Sequence, residues 1–119
     1  MVVSSVPPDD VDRLFQALAD ATRRDILGRA IETDLSVSAL ARHYAISLTA
    51  VQKHVAVLER AGLVRRERVG REMRVHAVRG RIQAVREQLD AYEQLWRHRV
   101  AAMDDLLTSP PTLSERKAD

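Results

Sequence analysis

The period of the apolar positions changes along this chain, and each change marks a new element. Val11, Leu14, Phe15 and Leu18 recur at helical spacing once Pro7 and Pro8 are passed, with Asp9 or Asp10 placed to cap that helix. Asp20 restarts the pattern as a second cap. From Ala21 to about Ala30 a second short helix turns Ile26 and Leu27 inward and leaves Arg23, Arg24, Asp25 and Arg29 to solvent. The stretch ETDL, residues 32–35, is predicted to be a plain connection. Ser36 then caps a third helix, Val37 to His43, whose buried side is Val37, Leu40 and Ala41, and the short link Tyr44, Ala45, Ile46 leads to Ser47.

The segment from Ser47 to Gly62, SLTAVQKHVAVLERAG, has the best-marked boundaries in the chain. The Ser47 hydroxyl suits the N-cap and Gly62 the left-handed position that ends a helix. At about 100° per residue, Val51, Val55 and Leu58 fall on one apolar line. Thr49, Lys53, Ala56 and Arg60 lie roughly opposite, with Gln52 on the flank. One side packs and the other is offered outward. Since a short turn joins it to the preceding helix, the pair reads as a helix-turn-helix, with this helix as the second member.

Strand spacing follows. Leu63-Val64 and the alternating run Met73 to Val78 flank a turn at Val69-Gly70-Arg71, which makes a hairpin directly behind the helix-turn-helix, in the place of a wing. From about Arg81 to Leu107 there is no Gly or Pro. There Ile82, Val85, Leu89, Tyr92, Trp96, Met103 and Leu106 alternate spacings of three and four, interrupted by Arg99 with Val100 beside it. Leu95 and Leu107 widen this stripe beyond what so small a core covers, so a partner helix is predicted. The expected dimer face is Leu89, Tyr92, Trp96, Val100, Met103 and Leu106 on the long helix, with Leu14 and Phe15 from the first. The chain therefore divides into an arm at residues 1–8, one domain at residues 9–108 and a tail at residues 109–119 predicted to be disordered. The fold class is mainly α with a small β-hairpin: a winged helix-turn-helix, dimeric through its long C-terminal helix.

Composition changes this picture chiefly through charge. The net charge is only +2 over 119 residues, but its distribution is uneven. Residues 1–41 carry four arginines against seven acids; residues 42–81 carry ten basic groups against three acids, a net of +7; residues 82–119 return to −2. A positive field concentrated beside the outward side of a helix points to double-stranded DNA. On that reading Thr49, Gln52 and Lys53 reach base edges, because Gln pairs adenine bidentately and Lys addresses guanine. Leu48 is placed to touch a thymine methyl, and Ser47 caps the helix and meets a phosphate with the same group. His54 lies near the core edge, either packed there or touching a phosphate. Arg68, Arg71 and Arg74 of the wing are expected on phosphates or in the minor groove.

Other functions lose ground on the same residues. With no cysteine, disulfides and thiolate metal sites are excluded. No run approaches a membrane span and MVVSSVPPDD lacks the features of a signal peptide, so a cytoplasmic protein is expected, without membrane contact. There is no carboxylate pair, nucleophile–base set or phosphate-binding glycine loop, and the four histidines are scattered. Neither an enzyme nor a cofactor is expected.

The residues ALADATRRDIL (Ala17 to Leu27), LSVSALARHYAIS (Leu35 to Ser47) and AVQKHVAVLERAGLVRRERVGREMRVH (Ala50 to His76) resemble the opening signature, the helix and turn, and the recognition helix and wing of the ArsR-type winged-helix repressors of bacteria. The resemblance covers about residues 10–107. YEQLWRHRVAAMDDLL (Tyr92 to Leu107) is similar to one metal-independent branch of that family. Membership implies a homodimer that binds a palindromic operator, often at its own promoter, and represses by occlusion.

The departures from the family pattern bear on what is sensed. Where the arsenic-sensing branch has Cys-x-Cys, this chain has Ser36 and Ser38, and a hydroxyl does not replace a thiolate for a soft metal. Where the zinc-sensing branch has Asp-x-His, Asp90 is followed by Tyr92, so His98 with Asp104 or Asp105 is not read as a ligand set. A homodimeric repressor without a metal site is the expectation. The alternatives are a winged-helix module that binds protein, which the +7 segment disfavours, and a regulator answering to another ligand. The operator, the regulated genes and any inducer are not written in the sequence.

Overall fold

A computed structural model describes residues 7–108. The chain runs α1 (Pro8–Leu18), α2 (Ala21–Glu32), β1 (Leu35–Ser36), α3 (Val37–Ala41), α4 (Leu48–Arg60), β2 (Val64–Val69), β3 (Glu72–Ala77) and α5 (Arg79–Thr108). The strands form one antiparallel sheet in the order β1-β3-β2. Leu14, Ile26, Leu40, Val51, Val55, Leu58, Leu63 and Val75 have essentially no exposed surface, so every element except α5 and the two-residue β1 places a large residue, or the residue just beyond it, in a single core. Ala84 is the buried residue of α5, with Ile82 and Val85 packed on the same cluster. This is a winged helix-turn-helix with a long C-terminal helix. Among the described residues no helix is long and apolar enough to cross a membrane.

Three helices begin where the sequence places a cap. The side chains of Asp20, Ser36 and Ser47 accept from the amides of Arg23, Ala39 and Ala50, at 2.9, 3.0 and 3.1 Å. Each satisfies one of the first-turn donors that a helix leaves unpaired. Gly62 ends α4 with φ 78°, a value L side chains rarely adopt, and this lets the chain reverse into Leu63. Gly70, with φ 63°, makes the tip of the hairpin in the same way.

Several boundaries differ from expectation. Helix α1 starts at Pro8 rather than after it: a proline at the first helical position forfeits no hydrogen bond. Neither Asp9 nor Asp10 is the cap; Pro7 holds that position without a side-chain bond, and Asp10 instead pairs with Arg13 at 2.9 Å and Arg81 at 3.7 Å. The remainder of the predicted arm, residues 1–6, and the predicted tail, residues 109–119, lie outside the described residues. ETDL is not a plain connection, since α2 continues through Glu32 and Leu35 opens β1, where Leu35 and Ser36 pair with Val75 and Arg74. Helix α3 closes at Ala41, and residues 42–44 continue in tight turns. Strand β2 extends through Arg65 to Val69, because strand pairing is a backbone property that charged side chains on an open edge do not prevent. Helix α5 begins two residues earlier than expected, at Arg79.

Two assignments of side chains also change. Leu14, expected on the dimer face, is 1% exposed in the core of its own chain and has no surface left for a partner; Phe15, its neighbour on the helix, is 37% exposed. Arg23, expected in solvent, is half-buried and closes the C-terminus of α1, donating to Ala17 O and Gln16 O at 2.8 Å each. Arg24 donates to Leu18 O at 2.6 Å. Two guanidinium groups thus satisfy three carbonyls where the helix dipole favours cations.

Leu58 belongs to α4 and to the centre of the core at once. Leu58→Ala should lower unfolding stability by about 2–5 kcal/mol, the cost of lost burial plus the cavity left behind. Urea denaturation checks this; a shift below 1 kcal/mol would mean that Leu58 is not the packed centre described.

Candidate nucleic-acid interface

Helix α4 is divided lengthwise. Val51, Val55 and Leu58 are fully buried, while Ser47, Leu48, Thr49, Gln52 and Lys53 are all exposed at the N-terminal half. Leu48 is 44% exposed and Ile46, just before it, 41%. The exposed part of Leu48 is open to an apolar group outside the chain. His54 points the other way from this group. Its ring is half-buried, with Nδ1 3.8 Å from Asp20 Oδ2 and 3.5 Å from Arg23 Nη1. The structure therefore gathers Ser47, Leu48, Thr49, Gln52 and Lys53 and sets His54 at the joint between α4 and the start of α2.

The wing is bound to α4 by one arginine. Arg66 donates from Nη2 and Nε to Glu59 Oε1, at 2.7 and 2.9 Å, and its amide donates to Glu59 Oε2 at 3.2 Å. These bonds hold the Glu59 carboxyl below the usual glutamate range. Register then decides which wing residues share the side of α4. Residues directly opposite across a ladder lie on the same face of the sheet. Arg66 faces Val75, which is buried, and Arg68 faces Met73. Arg68 is therefore on the core face of the hairpin, the face that meets α4, while Arg71 is at the tip.

Arg74 is on the opposite face. It donates to Glu72 at 3.1 Å and to the Asp34 carbonyl at 3.2 Å. Beside it the His76 ring bridges Asp34 at 3.0 Å and Glu67 at 2.9 Å. The three wing arginines expected to act together do not converge: Arg68 and Arg71 remain open, and Arg74 is committed to its own chain. Alternation along β3 set this, and the sequence alone did not show which face the ladder would bury.

Three comparisons bear on this geometry. A helix-turn-helix domain family matches residues 18–67, the part from the end of α1 into β2. A crystal structure described as an ArsR family transcriptional regulator, RHA00566, is 34% identical, with 77% of this chain and 95% of that one superposed at a TM-score of 0.73. This chain belongs to the ArsR family of transcriptional regulators. A second ArsR-like regulator, from Rhodococcus sp. RHA1, is 33% identical over 82% of this chain and 92% of its own, with a TM-score of 0.71. The HTH-type transcriptional regulator Rv2034 of Mycobacterium tuberculosis is 49% identical over 53 residues, 44% of this chain. That match spans half the length of the mycobacterial protein.

Within this ArsR-family chain the +7 segment is not uniformly free. Arg65, Arg66, Arg74 and Arg81 each have a carboxylate within 4.0 Å. Among the described residues Arg42, Lys53, Arg60, Arg68, Arg71 and Arg79 have none. Five of those six lie on the helix-turn-helix or the hairpin, so the uncommitted charge is more localised than the sequence sum implies. Ser36 is buried and its hydroxyl is spent on capping α3. Among the described residues no group of three His, Cys, Asp or Glu is arranged to hold a metal ion, since Asp34 and Glu67 meet opposite nitrogens of the His76 ring.

Sequence reasoning missed three contributors to this surface. They are Arg66, Arg23 and Tyr44. Each acts through a partner on another element, which local pattern does not display.

The Glu59–Arg66 contact has a pH signature. A carboxyl whose folded value lies below its ordinary 4.5 stabilises the fold fully above that pH, and the contribution is lost as pH falls through the folded value. An NMR titration should place the Glu59 midpoint below 4.5, and Arg66→Ala should return it toward that value. A Glu59 midpoint unaffected by Arg66→Ala would contradict the clamp.

Proposed function

We propose that this chain is a cytoplasmic homodimeric repressor that reads an inverted-repeat operator, its own promoter included, and does so without a metal. The observation that carries the reading is the division of α4: a rigidly buried side, and an exposed side of Ser47, Leu48, Thr49, Gln52 and Lys53 flanked by uncommitted cations. Gln52 and Lys53 supply bidentate and point-charge donors for base edges, Leu48 an apolar contact for a thymine methyl, and Ser47 a phosphate contact at the helix N-terminus. Arg68 and Arg71 take phosphates or the minor groove beside the half-site. Arg74 and His54 act from behind, keeping the wing and the helix in place.

Doubling of the chain rests on α5. Beyond Val85 it carries Leu89, Tyr92, Trp96, Val100, Met103 and Leu106, each about half exposed or more, over a helix of roughly 45 Å at 1.5 Å per residue. Arg99, which interrupts this stripe, brings its guanidinium to 6.0 Å from the Trp96 ring, which stays largely exposed. Phe15 is exposed on α1, the helix that packs against α5. An apolar face of this length on a small domain, broken at Arg99, marks a protein interface. The solution structure of the Mycobacterium bovis protein Mb0332, described as a homodimeric winged helix-turn-helix DNA-binding domain, is 26% identical over 80% of this chain, with a TM-score of 0.61. A two-fold dimer would set its two α4 helices about one DNA turn, roughly 34 Å, apart, which suits an inverted repeat.

The test is the double substitution Gln52→Ala with Lys53→Ala. It should weaken binding to a duplex selected from host genomic fragments by about 100-fold, at roughly 1–3 kcal/mol for each lost base contact, while sedimentation still shows a dimer. Zinc or arsenite should leave wild-type binding unchanged. Unaltered affinity in the double variant would remove α4 as the reading helix.

A further inference from the structure

From Arg42 to Thr49 every residue is exposed except Tyr44. This stretch is the turn of the helix-turn-helix and the first residues of α4, and its next buried anchor is Val51. The side chains that tie Ser47, Leu48 and Thr49 to the body of the domain are therefore Val51 below, fully buried, and Tyr44 above, half-buried. Tyr44 is fastened to α2. Its hydroxyl donates to Asp25 Oδ2, and Arg29 Nε donates to that same oxygen at 2.8 Å. The Arg29 guanidinium also stands over the Tyr44 ring, 5.9 Å from its centroid. Because Asp25 and Arg29 are one turn apart on α2, the carboxylate is oriented within its own helix before the tyrosine meets it.

We propose that Tyr44, held by Asp25 and Arg29, is a positioning residue that fixes the start of the reading helix and thereby sets how well this chain distinguishes its operator from other DNA. The inference rests on the proposal that α4 reads base edges. Base contacts require donors and acceptors placed to within about half an ångström, whereas attraction to phosphates tolerates a displaced helix. Loosening the upper anchor should cost specificity and spare general affinity. The tyrosine hydroxyl is suited to the task because burial and the Asp25 carboxylate push its pKa up to about 12, so it remains a donor at any pH at which the protein works. Asp25, whose carboxyl is held low by the Tyr44 hydroxyl and then by Arg29, remains the acceptor.

Tyr44→Phe keeps the ring and removes only the donor, so the fold is retained. Affinity is to be measured for two duplexes of equal length: one selected by the wild-type protein from host genomic fragments, and a scrambled version of it. Tyr44→Phe should weaken binding to the selected duplex about tenfold, the worth of one hydrogen bond to a carboxylate. Binding to the scrambled duplex should stay within about twofold and its salt dependence unchanged. Asp25→Ala should reproduce this loss, and the double variant should lose no more than either single one. Equal losses on both duplexes, which a merely structural role would give, overturn the proposal, as does a variant with undiminished preference. A wild-type protein with no preference between the duplexes would overturn the reading role of α4 itself, and is thereby distinguishable from failure of the Tyr44 clamp.

Discussion

Val51, Val55 and Leu58 have no exposed surface, and their burial against Leu14, Ile26, Leu40, Leu63 and Val75 decides which way α4 faces. At about 1.5–3 kcal/mol for each buried aliphatic side chain, turning this helix over would forfeit roughly 5–9 kcal/mol, comparable with the whole stability of a small domain. The opposite side is thus outward by constraint. The other features that bear on recognition depend on this one: the Ser47 cap, the Arg66 fork onto Glu59 and the Tyr44 clamp each act on a helix whose rotation is already fixed.

Charge is then sorted by geometry. The acids of the central segment are few, yet Glu59 and Glu67 on the hairpin side, with Asp10 from α1, each take one of its cations, and Glu72 takes Arg74. The cations left over are concentrated on α4, the turn before it and the outer part of the wing. For the polyanion-binding interface proposed above, this arrangement keeps the positive field on the exposed side of α4 and the wing, and spends Arg66 on holding the wing to α4 and Arg81 on tying α5 to α1.

Much of this was legible in the sequence. The helix-turn-helix was visible because Ser36 and Ser47 cap at the expected spacing and because Val51, Val55 and Leu58 keep a helical period. The long terminal helix was visible from its apolar stripe and from a run without Gly or Pro. What escaped has a common physical reason. Strand β1 is two residues long and has no period to detect. Leu14 and Phe15 are both apolar and adjacent, and only packing shows that one faces in and the other out. Arg74 and Arg68 look alike until the ladder register assigns them to opposite faces. Arg23 and Tyr44 act on carbonyls of α1 and on Asp25, partners that lie on other elements.

The central claim is that α5 doubles the chain so that two α4 helices meet one piece of DNA. The most direct measurement is a hydroxyl-radical footprint on a duplex selected from host genomic fragments, combined with the mass of the complex in solution. Two protomers on one duplex, protecting two inverted half-sites about one helical turn apart, is the expected result. One protomer per site, or protection without two-fold symmetry, would contradict it.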